Sequence, residues 1–247
     1  MISQDLVSGV DVLCLDAGNT VIFLHHARLA SALREKANVV VTPEVVRRCE
    51  GEAKRLVEHN ALYDCDWKFR DRPGGIGWGR MVGTIARHSG LLPEGVPDFL
   101  AAAWELHVEK NFWCLVPDGL GVALDDMRNT GARTVIVSNS EGMLEKLFGE
   151  IGILAHFDAV VDSGIVGVEK PDPRIFEIAL ERTGGTKEHA LHLGDVYASD
   201  IVGARTAGIR SALIDPFAVY QGLHPDVPRV PGAPEVARAI TAARIAK

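Results

Sequence analysis

The chain has 247 residues, 47% of them hydrophobic and 24% charged, which excludes disorder, collagen and coiled coil and suffices for a full core. Its 33 acidic residues outnumber 26 Lys and Arg, for a net charge of −7, so neither a nucleic-acid backbone nor an anionic membrane is indicated as a partner. Cys14, Cys49, Cys65 and Cys114 form no CxxC pair, which argues against a disulfide framework or a structural zinc site. The first residues carry early acids instead of a basic and then apolar leader, and no apolar run approaches the ~20 residues of a membrane helix. A soluble, cytoplasmic protein is expected.

Residues 11–16 (DVLCLD) read as a short buried strand, with Gly18-Asn19 as turn chemistry after it. Residues 25–111 lack such strands. They show helical stretches at 26–37, 43–58, 76–89 and 97–109 around a loop at 64–79 rich in Gly, Trp and Arg. From 119 onward, helical patterns at 119–129, 141–151, 173–184 and 199–207 alternate with apolar strands at 133–138, 157–162, 190–194 and 210–215. The segment 216–233 is proline-bearing and reads as an extended crossing loop before a last helix at 234–246. Continuous apolar strands alternating with helices predict an α/β fold with a parallel sheet covered on both faces, formed by 1–24 and 112–247. Residues 25–111 are expected as an inserted, mainly helical domain.

In such sheets the ligand crevice lies beyond the carboxyl ends of the strands. Asp16 closes the first strand, where a carboxylate can be a nucleophile, a metal ligand or a plain turn acid. Ser138-Asn139 closes another strand and could hold an anion. Lys170 stands between VGVE and PDP. GDVYASD sets Asp195 at a strand end and Asp200 at a helix start, where the pair could share one hard cation. Taken together they supply what phosphoryl transfer needs: an attacking oxygen, charge neutralisation, and donors to the equatorial oxygens.

The order DAGNT, VSNS, EKPDPRIF and GDVYASDIVGARTAG resembles the haloacid dehalogenase superfamily of hydrolases, in the subgroup with a helical cap after the first motif. The resemblance implies a Rossmann-like, doubly wound parallel-sheet core in which Asp16 forms an aspartyl-phosphate while Ser138 and Lys170 bind the phosphoryl group, with Asn139 beside them. It also implies Mg2+ held by Asp16, Asp195 and the Gly18 main-chain carbonyl, with Asp200 close by or acting through water. The expected activity is a Mg2+-dependent phosphatase acting on a small phosphorylated metabolite.

One position departs from the family. Its phosphatases carry a second Asp, the general acid/base, two residues after the nucleophile; here that residue is Gly18, and Asn19 replaces the following Gly. His25 or His26 could take over the proton transfer, or remain hinge residues. Phosphonatase-like cleavage would need a cap amine from Lys36, Lys54, Lys68 or Lys110. Dehalogenase-like chemistry needs no Mg2+ and fits poorly with the acids of GDVYASD, which would repel Asp16 without a cation. A catalytically weak phospholigand binder is the non-enzymatic alternative. Trp67, Phe69, Arg70, Arg72, Trp78 and Arg80 are equally readable as a substrate rim or as cap core plus solvated arginines.

Overall fold

The computed structural model describes residues 2–246. The chain divides into two compact units, one formed by the chain up to Phe23 and from Leu115 onward, the other by Leu24–Cys114. The strands, in chain order, are β1 (Val12–Leu15), β2 (Phe23–Leu24), β3 (Trp113–Leu115), β4 (Arg133–Ser138), β5 (Ala159–Asp162), β6 (Ala190–Gly194), β7 (Arg210–Ile214) and β8 (Arg229–Val230). Six of them form one parallel sheet in the order β5-β4-β1-β6-β7-β8. β2 and β3 carry the chain between the units and pair with each other.

β1 is central because all four of its side chains are apolar and buried, as a strand covered on both faces requires. It pairs with β4 through Val12 opposite Arg133 and with β6 through Val12 opposite Ala190. One face of the sheet packs Val12, Cys14, Val135, Val137 and Ala190 against Ile175, Phe176 and Ala179 of the helix Arg174–Thr183. Burial pushes the Cys14 thiol up to about 12, so it behaves as a small apolar residue. The strand order reverses at β1. That places a switch point, where such folds bind ligands, at the carboxyl ends of β1, β4 and β6.

The segment at 216–233 differs from the expected crossing loop. It ends in β8, an edge strand attached where Leu213 N donates to the Pro228 carbonyl at 2.9 Å. Prolines are tolerated there because an edge strand needs hydrogen bonds on one side only. The expected helix at 199–207 opens instead as a π turn, Tyr197–Ile201, before Val202–Thr206. No helix among the described residues is long and apolar enough to cross a membrane.

The second unit contains the helices His26–Ala37, Pro43–Val57, Gly75–His88 and Val96–Glu109. Thr42 caps the second by accepting from Val45 N, with Pro43 at its first position. Trp67, Trp78 and Trp104 form its aromatic centre, with ring centroids 5.5 Å apart for Trp67–Trp78 and 5.0 Å for Trp78–Trp104. All three are buried, so the indoles serve as core. Arg70 pairs with Asp64 and donates to the Cys65 carbonyl, whereas Arg72 is exposed.

Leu13 is fully buried in β1, whereas Val122 is 67% exposed. Leu13→Ala is expected to cost about 2–5 kcal/mol of stability. Val122→Ala should stay within about 0.5 kcal/mol of the parent, with thermal and urea unfolding checking both.

Candidate active site

Asp16 directly follows β1, and its backbone N–H still donates to Leu193 O at 2.8 Å, so the sheet itself fixes where the carboxylate starts. The chain then turns tightly: Ile22 N donates to Ala17 O at 3.0 Å and Asn19 N to Ile22 O at 2.7 Å. Asn19 takes a left-handed conformation, φ 54°, which Asn tolerates better than most residues. Its side-chain Nδ2 donates to Asp195 Oδ2 at 3.1 Å, tying the turn after β1 to the end of β6.

Lys170 comes from the loop before the helix Arg174–Thr183, and its Nζ lies 2.6 Å from Asp16 Oδ1 and 2.5 Å from Asp200 Oδ1. All three side chains are buried. Burial works to lower the Lys170 pKa, but the two carboxylates outweigh it and hold the ammonium firmly charged, above its ordinary range. Burial likewise works to raise Asp200, and Lys170 with His192 outweighs it, so this carboxyl is held below the usual range. Asp200 uses both oxygens. Oδ1 accepts from Lys170 and from His192 Nε2 at 3.1 Å, and Oδ2 accepts from Val196 N at 2.9 Å.

Asn139 does something the sequence did not suggest. Its Oδ1 accepts from Lys170 N at 2.7 Å and its Nδ2 donates to Lys170 O at 2.9 Å. Both amide atoms are thus spent on the lysine's backbone, which makes Asn139 a clamp on Lys170. Ser138, the last residue of β4, is buried beside it. Asp195 directly follows β6 and is also buried.

His192 and Gly194 were missed as well. His192 sits mid-strand in an otherwise apolar run, ALHLG, and that lone polar residue was the available signal. Gly194 is required by packing: a Cβ there would stand 2.2 Å from Asp200 Cγ. At Gly18, by contrast, a Cβ would meet nothing within 4 Å and the backbone carries no positive φ. The structure therefore brings Asp16, Lys170, Asp195 and Asp200 together, with Ser138 and Asn139 on the neighbouring strand end. His26 is elsewhere engaged, its Nε2 lying 2.7 Å from the buried Glu50 inside the helical unit.

Asp16, Asp195 and Asp200 each offer an oxygen within 4.8 Å of the others. Lys170 brings one positive charge to these three acids, and buried carboxylates are costly unless balanced by positive charge. An all-oxygen donor set of this charge suits a hard divalent cation. Asp16 and Asp195 are the residues able to ligate directly, since both Asp200 oxygens are occupied by donors.

A parallel α/β core with carboxylates and a lysine gathered at the switch point defines a hydrolase of the haloacid dehalogenase type. The model of the haloacid dehalogenase-like hydrolases matches residues 10–208, and the chain belongs to that family. It is 36% identical over 128 residues to haloacid dehalogenase-like hydrolase domain-containing protein 3 of Homo sapiens, covering 51% of each chain. It is 39% identical over 151 residues to phosphoserine phosphatase of Thermus thermophilus, covering 60% of this chain and 57% of that one. The chain spans about half the length of the curated relatives it matches. Among solved structures, magnesium-bound YfnB of Bacillus subtilis aligns with a TM-score of 0.57 at 20% identity, over 83% of this chain and 86% of that one. A 2-haloacid dehalogenase of Pseudomonas syringae aligns at 0.53 and 18% identity, over 94% and 99%. At such identities the likeness is one of fold.

Gly194→Ala is expected to displace Asp200 and to lower stability by about 1–3 kcal/mol. Gly149→Ala, in a helix with no atom within 4 Å of the new Cβ, should instead stabilise by roughly 0.5–1 kcal/mol. Parallel thermal unfolding of the two variants checks the contrast.

Proposed function

We propose that the chain is a Mg2+-dependent phosphatase of small phosphorylated metabolites, working through a covalent phosphoryl group on Asp16. The observation that carries the reading is the buried Asp16–Lys170–Asp200 arrangement beside Asp195 at the carboxyl ends of β1 and β6. Asp16 is the nucleophile: one carboxylate oxygen attacks phosphorus, the bond from phosphorus to the leaving oxygen breaks, and water later attacks the same phosphorus to free the carboxylate. Lys170 neutralises phosphoryl charge, and Ser138 donates a hydrogen bond to a phosphoryl oxygen. Asn139 positions Lys170. Mg2+ held by Asp16, Asp195 and the Gly18 carbonyl, with Asp200 behind, would supply further charge neutralisation at the phosphoryl oxygens.

The helical unit, 25–111 by its sequence boundaries, is proposed as the cap that selects the substrate. Phosphonatase-like cleavage has less support: of its candidate amines Lys36, Lys68 and Lys110 are exposed and Lys54 is half-buried, whereas a Schiff-base amine must shed its proton in a desolvated pocket. Dehalogenase-like chemistry needs no Mg2+ and would leave the three acids Asp16, Asp195 and Asp200 gathered around the one ammonium of Lys170.

Asp16→Asn should abolish turnover of a phosphate-ester panel while the protein still folds. Calorimetry should detect Mg2+ binding to the parent and its loss in Asp195→Ala, and saturating Mg2+ should raise the parent's melting temperature by linkage. Mg2+ affinity unchanged by Asp195→Ala would overturn the metal assignment. Full activity in Asp16→Asn would overturn the nucleophile.

A further inference from the structure

Among the described residues of the core unit, the ionisable groups gathered at the carboxyl ends of β1 and β6 are Asp16, Lys170, Asp195 and Asp200, with His192 behind Asp200, and each already has work. Lys170 directs its ammonium at Asp16 and Asp200. Asp200 accepts from three donors, and Asp195 accepts from Asn19. His192 is fully buried and donates to Asp200. Gly18, two residues after the nucleophile, has no side chain, and the space where one would start is open. Among the described residues of the core unit, the site therefore holds no carboxylic acid ready to give a proton to a departing oxygen.

That limits what can depart. An alkyl phosphate releases an alkoxide, whose parent alcohol is about as weak an acid as water, ~16. Such a group needs a proton as the bond breaks, and a positioned acid is worth about 10²–10⁴ in rate. A carboxylate, whose parent acid has a pKa of about 4, leaves without one.

The second half-reaction has the same demand. The phosphorylated Asp16 is itself a mixed anhydride of a carboxylic acid and phosphoric acid, and water expels a carboxylate from it. A site without an acid is thus already matched to carboxylate leaving groups. We propose that the physiological substrates are acyl phosphates, which the site hydrolyses in preference to alkyl phosphate esters.

In the first step an Asp16 oxygen bonds to phosphorus and the acyl carboxylate departs with the electron pair of the broken P–O bond. In the second, water bonds to phosphorus and Asp16 departs as carboxylate. One water proton stays on the new P–OH, and the other passes to a phosphate oxygen or to solvent. The net reaction consumes one water and yields a carboxylate and inorganic phosphate.

This inference rests on the phosphatase reading, and its test separates the two. Turnover of acetyl phosphate, glycerol phosphate and a series of aryl phosphates of graded leaving-group acidity is measured with Mg2+ on the intact chain. The expected result is a steep dependence, with kcat/KM at least ~10²-fold higher for acetyl phosphate than for glycerol phosphate. Gly18→Asp should raise the glycerol phosphate to acetyl phosphate ratio ~10-fold or more, with melting curves confirming a folded variant. Comparable turnover of both compounds by the parent would overturn the substrate class and would leave the phosphatase reading standing. Failure to turn over any compound, acetyl phosphate included, would overturn both.

Discussion

One buried ammonium shared by two carboxylates organises this molecule. Lys170 reaches Asp16 at the end of β1 and Asp200 beyond β6, joining residues that the chain makes far apart. Removing one partner of such a pair costs about 3–5 kcal/mol, because it leaves a charge buried without compensation. Much of the surrounding structure keeps that geometry in place. Asn139 holds the lysine's backbone from the end of β4, His192 and the Val196 N–H hold Asp200, and Gly194 leaves room for it. The pair also sets the electrostatics of the crevice. With Asp195 added, the negative charge exceeds what Lys170 can balance, and a divalent cation becomes the natural complement.

Much of this was legible in the chain. The central strands are short apolar runs bounded by turn residues, and their ends alone place Asp16, Ser138 and Asp195 at the carboxyl ends of neighbouring strands. The helices of the inserted unit follow their apolar spacing closely, from His26–Ala37 to Val96–Glu109. β8 escaped because prolines mask an edge strand that needs hydrogen bonds on one side only. The π turn at Tyr197–Ile201 escaped because a helical pattern does not disclose which hydrogen-bond ring closes it.

The site was legible in its residue types and less so in its roles. Asn139 looked like a ligand-binding amide and is occupied with Lys170, a contact between residues 31 positions apart that no local pattern reveals. Trp67 and Trp78 flank a Gly-rich loop in sequence yet belong to the aromatic core of their unit. Only packing decides between a rim and a core for such residues. The glycines divide in the same way, since Gly18 faces open space and Gly194 faces Asp200.

The position of β1 has a consequence for how the chain must be made. Val12 lies in the middle of the sheet, yet its partners Arg133 and Ala190 emerge from the ribosome roughly 120 and 180 residues later. At ~5–20 residues per second, a fully apolar strand waits on the order of ten seconds or more before both neighbours exist. During that wait the helical unit, a compact body formed by one continuous stretch of chain, is the part of the nascent chain able to fold. The core's nucleus therefore assembles late around its oldest strand, and the interval when VLCL is uncovered is when a growing chain is most exposed to aggregation.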